Sequence, residues 1–175
     1  MTHHKPIAQS ADVPQEPLPA PAGTSFGGVR QRIGSAVGAE KLGYGVFTIP
    51  PGSTAFPAHA HTVNEEMIYI LEGHGTLRFG LERVVVGAGT FIACPSGGDL
   101  PHQLINDSAE DLRYLVVSTM SYPDVVDYPD SQKIGVYAGP SRSGEKPFRA
   151  LYSKESEVPY FHGETGVDPD TATNK

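Results

Sequence analysis

Residues 50–75 read PPGSTAFPAHAHTVNEEMIYILEGHG, and the rest of the chain is organised around them. His59 and His61 lie two residues apart between Pro and Gly punctuation, which favours a strand over a helix and puts both imidazoles on one face. Glu66 comes five residues after His61, the wrong parity for that face on a continuous strand. Thr62-Val63-Asn64 supplies the break. Beyond it, Glu66-Met67-Ile68-Tyr69-Ile70-Leu71 alternates as a new strand with Glu66, Ile68 and Ile70 on one side, and Gly73-His74-Gly75 turns the chain. Two neighbouring strands thus aim two imidazoles and a carboxylate at one point.

Residues 89–106, GTFIACPSGGDLPHQLIN, offer a third imidazole where a strand ends in a Pro/Gly-rich loop and the chain resumes at His102. The two stretches together resemble the paired motifs of the cupin superfamily. The first motif reads Gly52, His59, His61, Glu66 and Gly73, and the second reads Gly89, Pro95, Gly97, His102 and Asn106. Two spacings depart from the family pattern. One extra residue precedes His59, and four residues rather than two separate Gly97 from His102. Both insertions fall in expected loops and lengthen the rim without changing which strands carry the ligands. Glu65 adjoins Glu66, but the six-residue spacing to Gly73 and the strand parity both select Glu66.

The resemblance covers about 41–120 and implies an all-β fold, a double-stranded β-helix or jelly roll, with His59, His61, Glu66 and His102 as metal ligands. Three neutral imidazoles and one carboxylate suit a divalent Fe, Mn, Ni, Co or Zn ion and leave open positions for a substrate. A lone histidine on a strand is usually structural, whereas this spaced set inside one expected barrel reads as a metal site. Glu65 is expected to face solvent or to stand behind the ligands, His74 to sit in a solvated loop, and the Asn106 amide to fix a turn. Cys94, without a basic neighbour in sequence, reads as a buried core thiol. Tyr44, Arg78, Arg113 and Tyr114 are candidates for the barrel interior.

At 175 residues the chain is one domain with tails, and its 20 Gly and 16 Pro suit many short strands joined by turns. A net charge of -7 offers no basic face to nucleic acid or an anionic membrane. One cysteine excludes an internal disulfide framework, and no apolar run has the length of a membrane span or the layout of a signal peptide. The cytoplasm is the expected compartment.

Three segments are expected: an extended arm over 1–40, the barrel over 41–120 and an extension over 121–175 that packs on the barrel or over its mouth. Five prolines before Phe26 forbid a stable helix in the arm, where His3 and His4 read as part of a polar terminus. An edge strand over 29–33 could pair with a neighbouring subunit. Strands are expected at 41–49, 55–61, 65–72, 76–79, 83–86, 90–94, 102–106 and 111–118, with two more at 133–138 and 148–152. The aromatic cluster at Tyr160-Phe161 is expected to dock on the barrel. HAHTVNEE, ACPSGGDLPHQLIN and YPDSQKIGVYA resemble bacterial single-cupin proteins of mostly unassigned activity. That resemblance implies a homodimer and a metal-dependent enzyme acting on a small oxygenated substrate, such as a sugar, keto acid or aromatic diol, by oxygenase, isomerase or lyase chemistry. The alternative is a non-catalytic module that binds a small ligand.

Overall fold

The computed structural model describes residues 6–139 and 148–166, so His3 and His4 lie outside the described residues. Fourteen strands and one short helix follow in chain order: β1 (Glu16–Pro17), β2 (Val29–Gln31), α1 (Ile33–Ala36), β3 (Leu42–Ile49), β4 (Ser53–Thr54), β5 (Ala60–His61), β6 (Glu66–Glu72), β7 (His74–Phe79), β8 (Glu82–Gly87), β9 (Phe91–Cys94), β10 (His102–Asn106), β11 (Leu112–Thr119), β12 (Asp124–Tyr128), β13 (Lys133–Tyr137) and β14 (Arg149–Ser153). They form three antiparallel sheets, ordered β1-β2-β3-β11-β6-β9, β4-β10-β7-β8 and β14-β13-β12-β5. This is a jelly-roll barrel. No helix among the described residues is long and apolar enough to cross a membrane.

Alternation builds the interior. Ile68 and Ile70 of β6, Leu77 of β7, Leu104 of β10 and Leu112 and Tyr114 of β11 point inward, and the residues between them are less buried. Ile70 and Leu112 are fully buried, each worth about 1.5–3 kcal/mol relative to exposure. The same parity puts Glu66 in the inward row with Ile68 and Ile70, and His102 in the inward row with Leu104 and Asn106.

The amino-terminal arm lies on its own chain's sheet, β1 pairing with β2 and β2 with β3. Gly45 makes this approach possible. A Cβ there would stand 2.5 Å from the Gln31 carbonyl oxygen.

Three expectations change. The strand expected over 55–61 shrinks to β5 at its end, with the unexpected β4 before it, because Pro57 lacks a ladder N–H. His74 is exposed as expected but opens β7 rather than sitting in a loop. Tyr160 and Phe161 do not dock on the barrel: they are 90% and 76% exposed and pack edge to face on each other, centroids 4.8 Å apart.

β5 has a special place in this arrangement. On one side the His59 and His102 backbones exchange hydrogen bonds of 3.1 and 2.8 Å, and on the other His61 pairs with Val126 of β12. The His-Ala-His segment is therefore the seam between the two four-stranded sheets.

Candidate metal centre

The four candidate ligands enter the cavity from three parts of the barrel. His59 and His61 come from the seam, Glu66 from the first position of β6 and His102 from the first position of β10. One nitrogen or oxygen from each of His59, His61 and Glu66 lies within 4.8 Å of the others. His102 joins through Glu66, its Nε2 standing 3.2 Å from Oε2, and its ring centroid lies 4.6 Å from that of His59. His61 Nε2 is 3.9 Å from the other Glu66 oxygen.

The outer nitrogens of the His-x-His pair are already committed. His59 Nδ1 lies 2.9 Å from the Pro57 carbonyl oxygen, which can only accept, so Nδ1 carries the proton. His61 Nδ1 lies 2.6 Å from Asp124 Oδ2, and the same argument applies. In both rings the unprotonated nitrogen is then Nε2, the one a metal ion needs. These two rings thus fit a divalent ion without a change of tautomer.

Asp124 is itself held. It is 2% exposed and accepts hydrogen bonds from the Val63 N–H at 3.0 Å and from Asn64 Nδ2 at 2.9 Å. Asn64 Oδ1 accepts in turn from the Ser121 N–H and the Thr119 hydroxyl. A chain of fixed groups therefore runs from the start of β12 to the His61 ring.

The electrostatics follow from burial. Burial, with His102 alongside, pushes His59 down to about 4, so its imidazole is neutral near pH 7. Burial pushes the Glu66 carboxyl up, but the hydrogen bond from His102 and the neighbouring imidazoles outweigh it and leave the group below its ordinary value. Asp124 behaves alike: burial raises it, and the hydrogen bonds from His61, Asn64 and Val63 bring it below the ordinary range. Neutral imidazole and ionised carboxylates are the ligand states that metal binding requires.

These groups lie in a cavity of about 440 Å³. Phe47, Ile68, Tyr114 and Val116 form its apolar wall, with the Phe47 and Tyr114 rings stacked 5.5 Å apart. Opposite stand Asp124, Val126 and Tyr128 of β12, Tyr137 of β13 and Arg149 of β14. The Tyr128 ring lies 6.0 Å from that of His59, and its hydroxyl is 3.0 Å from the Tyr137 hydroxyl. Burial and that hydrogen bond raise Tyr128 above the ordinary phenol range.

The four residues expected as ligands all line this one cavity. Of the interior candidates, Tyr114 lines it too. Arg78 instead pairs with Asp130, Arg113 pairs with Glu72, and Tyr44 does not reach the cavity. Glu65 is exposed, and Cys94 is buried, its thiol pushed up to about 12 by burial and the Glu66 charge. The sequence reading missed Asp124, Tyr128, Tyr137 and Arg149. The signal for the first two was present, since Asp124, Val126 and Tyr128 alternate on one strand face.

Residues 45–118 match the family model of the Cupin domain, so this part of the chain is a cupin domain. A comparison with curated proteins finds no match. Among solved structures, a protein of Acidithiobacillus ferrooxidans provisionally assigned as a sugar phosphate isomerase is 26% identical, with 89% of this chain and 96% of that one covered and a TM-score of 0.75. A sugar phosphate isomerase of the cupin superfamily from Silicibacter pomeroyi is 21% identical, covering 86% and 94% with a TM-score of 0.75, and shares the fold. The polyketide cyclase RemF from Streptomyces resistomycificus is 26% identical over 67% of this chain and 82% of its own, with a TM-score of 0.55.

Proposed function

We propose that this cupin-domain protein is a divalent-metal isomerase of a small substrate with neighbouring hydroxyl and carbonyl oxygens, such as a sugar or keto acid. The observation that carries this reading is the convergence of His59, His61, Glu66 and His102 in one cavity, with the metal-facing nitrogens of the first two rings already selected. Those four side chains would hold the ion, which supplies Lewis-acid polarisation of substrate oxygens. The remaining work belongs to the chain.

Pro57 and Asp124 hold the His59 and His61 rings in position. Phe47, Ile68, Tyr114 and Val116 keep one wall dry, which strengthens every polar contact made beside them. The Tyr128 hydroxyl, protonated at neutral pH, offers a proton on the wall next to His59. An isomerisation moves one proton between adjacent carbons and one between their oxygens, with no net electron transfer. The likeness to the Acidithiobacillus ferrooxidans protein supports this choice among cupin chemistries.

The test begins with elemental analysis of untagged protein purified without added metal, beside a His59→Ala, His102→Ala double variant. Near-stoichiometric metal in the parent and its loss in the variant are expected. The loaded protein is then incubated with aldoses, ketoses and keto acids in D2O, and deuterium incorporation beside the carbonyl is read by NMR. Negligible metal after reconstitution would overturn the metal centre. Bound metal without exchange or product would leave a small-ligand-binding module.

A further inference from the structure

We infer that the substrate is bifunctional and carries an anionic group, a carboxylate or a phosphate, which Arg149 and the Tyr137 hydroxyl hold at the cavity rim while the oxygenated end reaches the His/Glu cluster. This rests on the reading above that the cluster binds substrate oxygens.

The wall that leads to Arg149 is continuous. Asp124, Tyr137 and Arg149 are cross-strand partners in one row across β12, β13 and β14, and all three line the cavity. The Arg149 guanidinium carbon lies 4.9 Å from the Tyr137 ring centroid, and Nη2 makes a long 3.5 Å contact with the Tyr137 hydroxyl. That hydroxyl meets Tyr128, whose ring stacks on His59. From the metal cluster to the rim, one file of side chains runs His59, Tyr128, Tyr137, Arg149.

Gly135 gives the two tyrosines their place. A Cβ there would stand 2.8 Å from Tyr137 Cε2 and 3.3 Å from Tyr128 Cε2, so both rings lean over a residue with no side chain.

Charge then selects the ligand. Among the described residues two arginines line the cavity, and Arg30 is paired with Glu16 at 3.3 Å. Arg149 has no carboxylate partner among the described residues, in a chain whose net charge is -7. A planar guanidinium beside a phenol hydroxyl matches the oxygens of a carboxylate or phosphate. Arg149 and the Tyr137 hydroxyl draw the anionic group to the rim, which leaves the oxygenated end to reach the His/Glu cluster.

The experiment uses three probes with one carbon frame: glycerol 3-phosphate, glycerate and glycerol. Binding to the full chain is measured by titration calorimetry, with metal content determined on the same preparations. At least one anionic probe is expected to bind tenfold or more tighter than glycerol, and the tighter of the two identifies phosphate or carboxylate. Arg149→Gln removes that preference, and Tyr137→Phe weakens it by a smaller factor. Arg83→Gln, on an exposed strand away from the cavity, leaves it intact. Equal binding of all three probes, or a preference unchanged in both Arg149→Gln and Tyr137→Phe, would overturn the inference. Metal content tests the metal centre separately, because Arg149 is no candidate ligand.

Discussion

Asp124 shows how one side chain outside the recognised motifs sets the state of one inside them. Its carboxylate, 2.6 Å from His61 Nδ1, can only accept, and this leaves Nε2 as the lone-pair nitrogen. Asp124→Asn keeps the shape but presents an amide that either donates or accepts, so the His61 tautomer is no longer fixed. Metal affinity is expected to fall by about 10- to 100-fold, as for other partners of metal-ligating histidines. Competition with a chromogenic chelator measures it, and 15N shifts of His61 in metal-free protein report the tautomer directly. Unchanged affinity with a single unchanged tautomer would remove Asp124 from the site. At this scale the sequence was informative about the side chains that share the cavity and poor about their supports. His59, His61, Glu66 and His102 carry a spacing that can be counted. Asp124 stands 63 residues from His61, and nothing local in the chain announces their contact.

At the scale of elements, Asn106 ties the end of β10 to two other segments. Its fully buried amide donates to the Ile49 carbonyl at 2.7 Å and the Glu110 carbonyl at 2.8 Å, and its oxygen accepts from the Ser108 N–H at 3.1 Å and hydroxyl at 2.7 Å. Asn106→Ala strands those buried partners and is expected to cost about 2–4 kcal/mol, on the order of 1–3 kcal/mol for each unsatisfied group. Urea unfolding at neutral pH reads the loss, and a change under about 0.5 kcal/mol would mean that the turn holds without the amide. The sequence identified Asn106 as a turn-fixing residue from its motif position. It identified long strands from alternation where β6, β10 and the start of β11 have a buried face of period two. It missed β4 and drew β5 too long, because two-residue strands have no period to read. Nor did it pair β12 with β5, a long-range contact that closes the seam at His61 and that no turn signal encodes.

For the whole molecule, the seam is expected to make folding, and the proposed metal binding with it, respond to acid. His59, pushed down to about 4 by burial, stays neutral in the folded protein while the unfolded chain takes a proton near 6.5. Between those values the unfolded state binds more protons, so stability rises with pH and is lost as pH falls from about 6.5 towards 4. For His59 the full loss is on the order of 3–4 kcal/mol, from about 1.4 kcal/mol for each pH unit of difference. Glu66 and Asp124 act in the same direction, because both are held below their ordinary values and lose that stabilisation as pH falls through the folded value. A bound ion adds to the slope, since it needs the imidazoles neutral and the carboxylate ionised. The urea midpoint of metal-free protein is therefore expected to fall steadily from pH 6.5 to 4. The metal-loaded midpoint starts higher and falls more steeply towards it. A midpoint flat across this range in metal-free protein would contradict a neutral buried His59, and the same slope with and without metal would separate folding from the site.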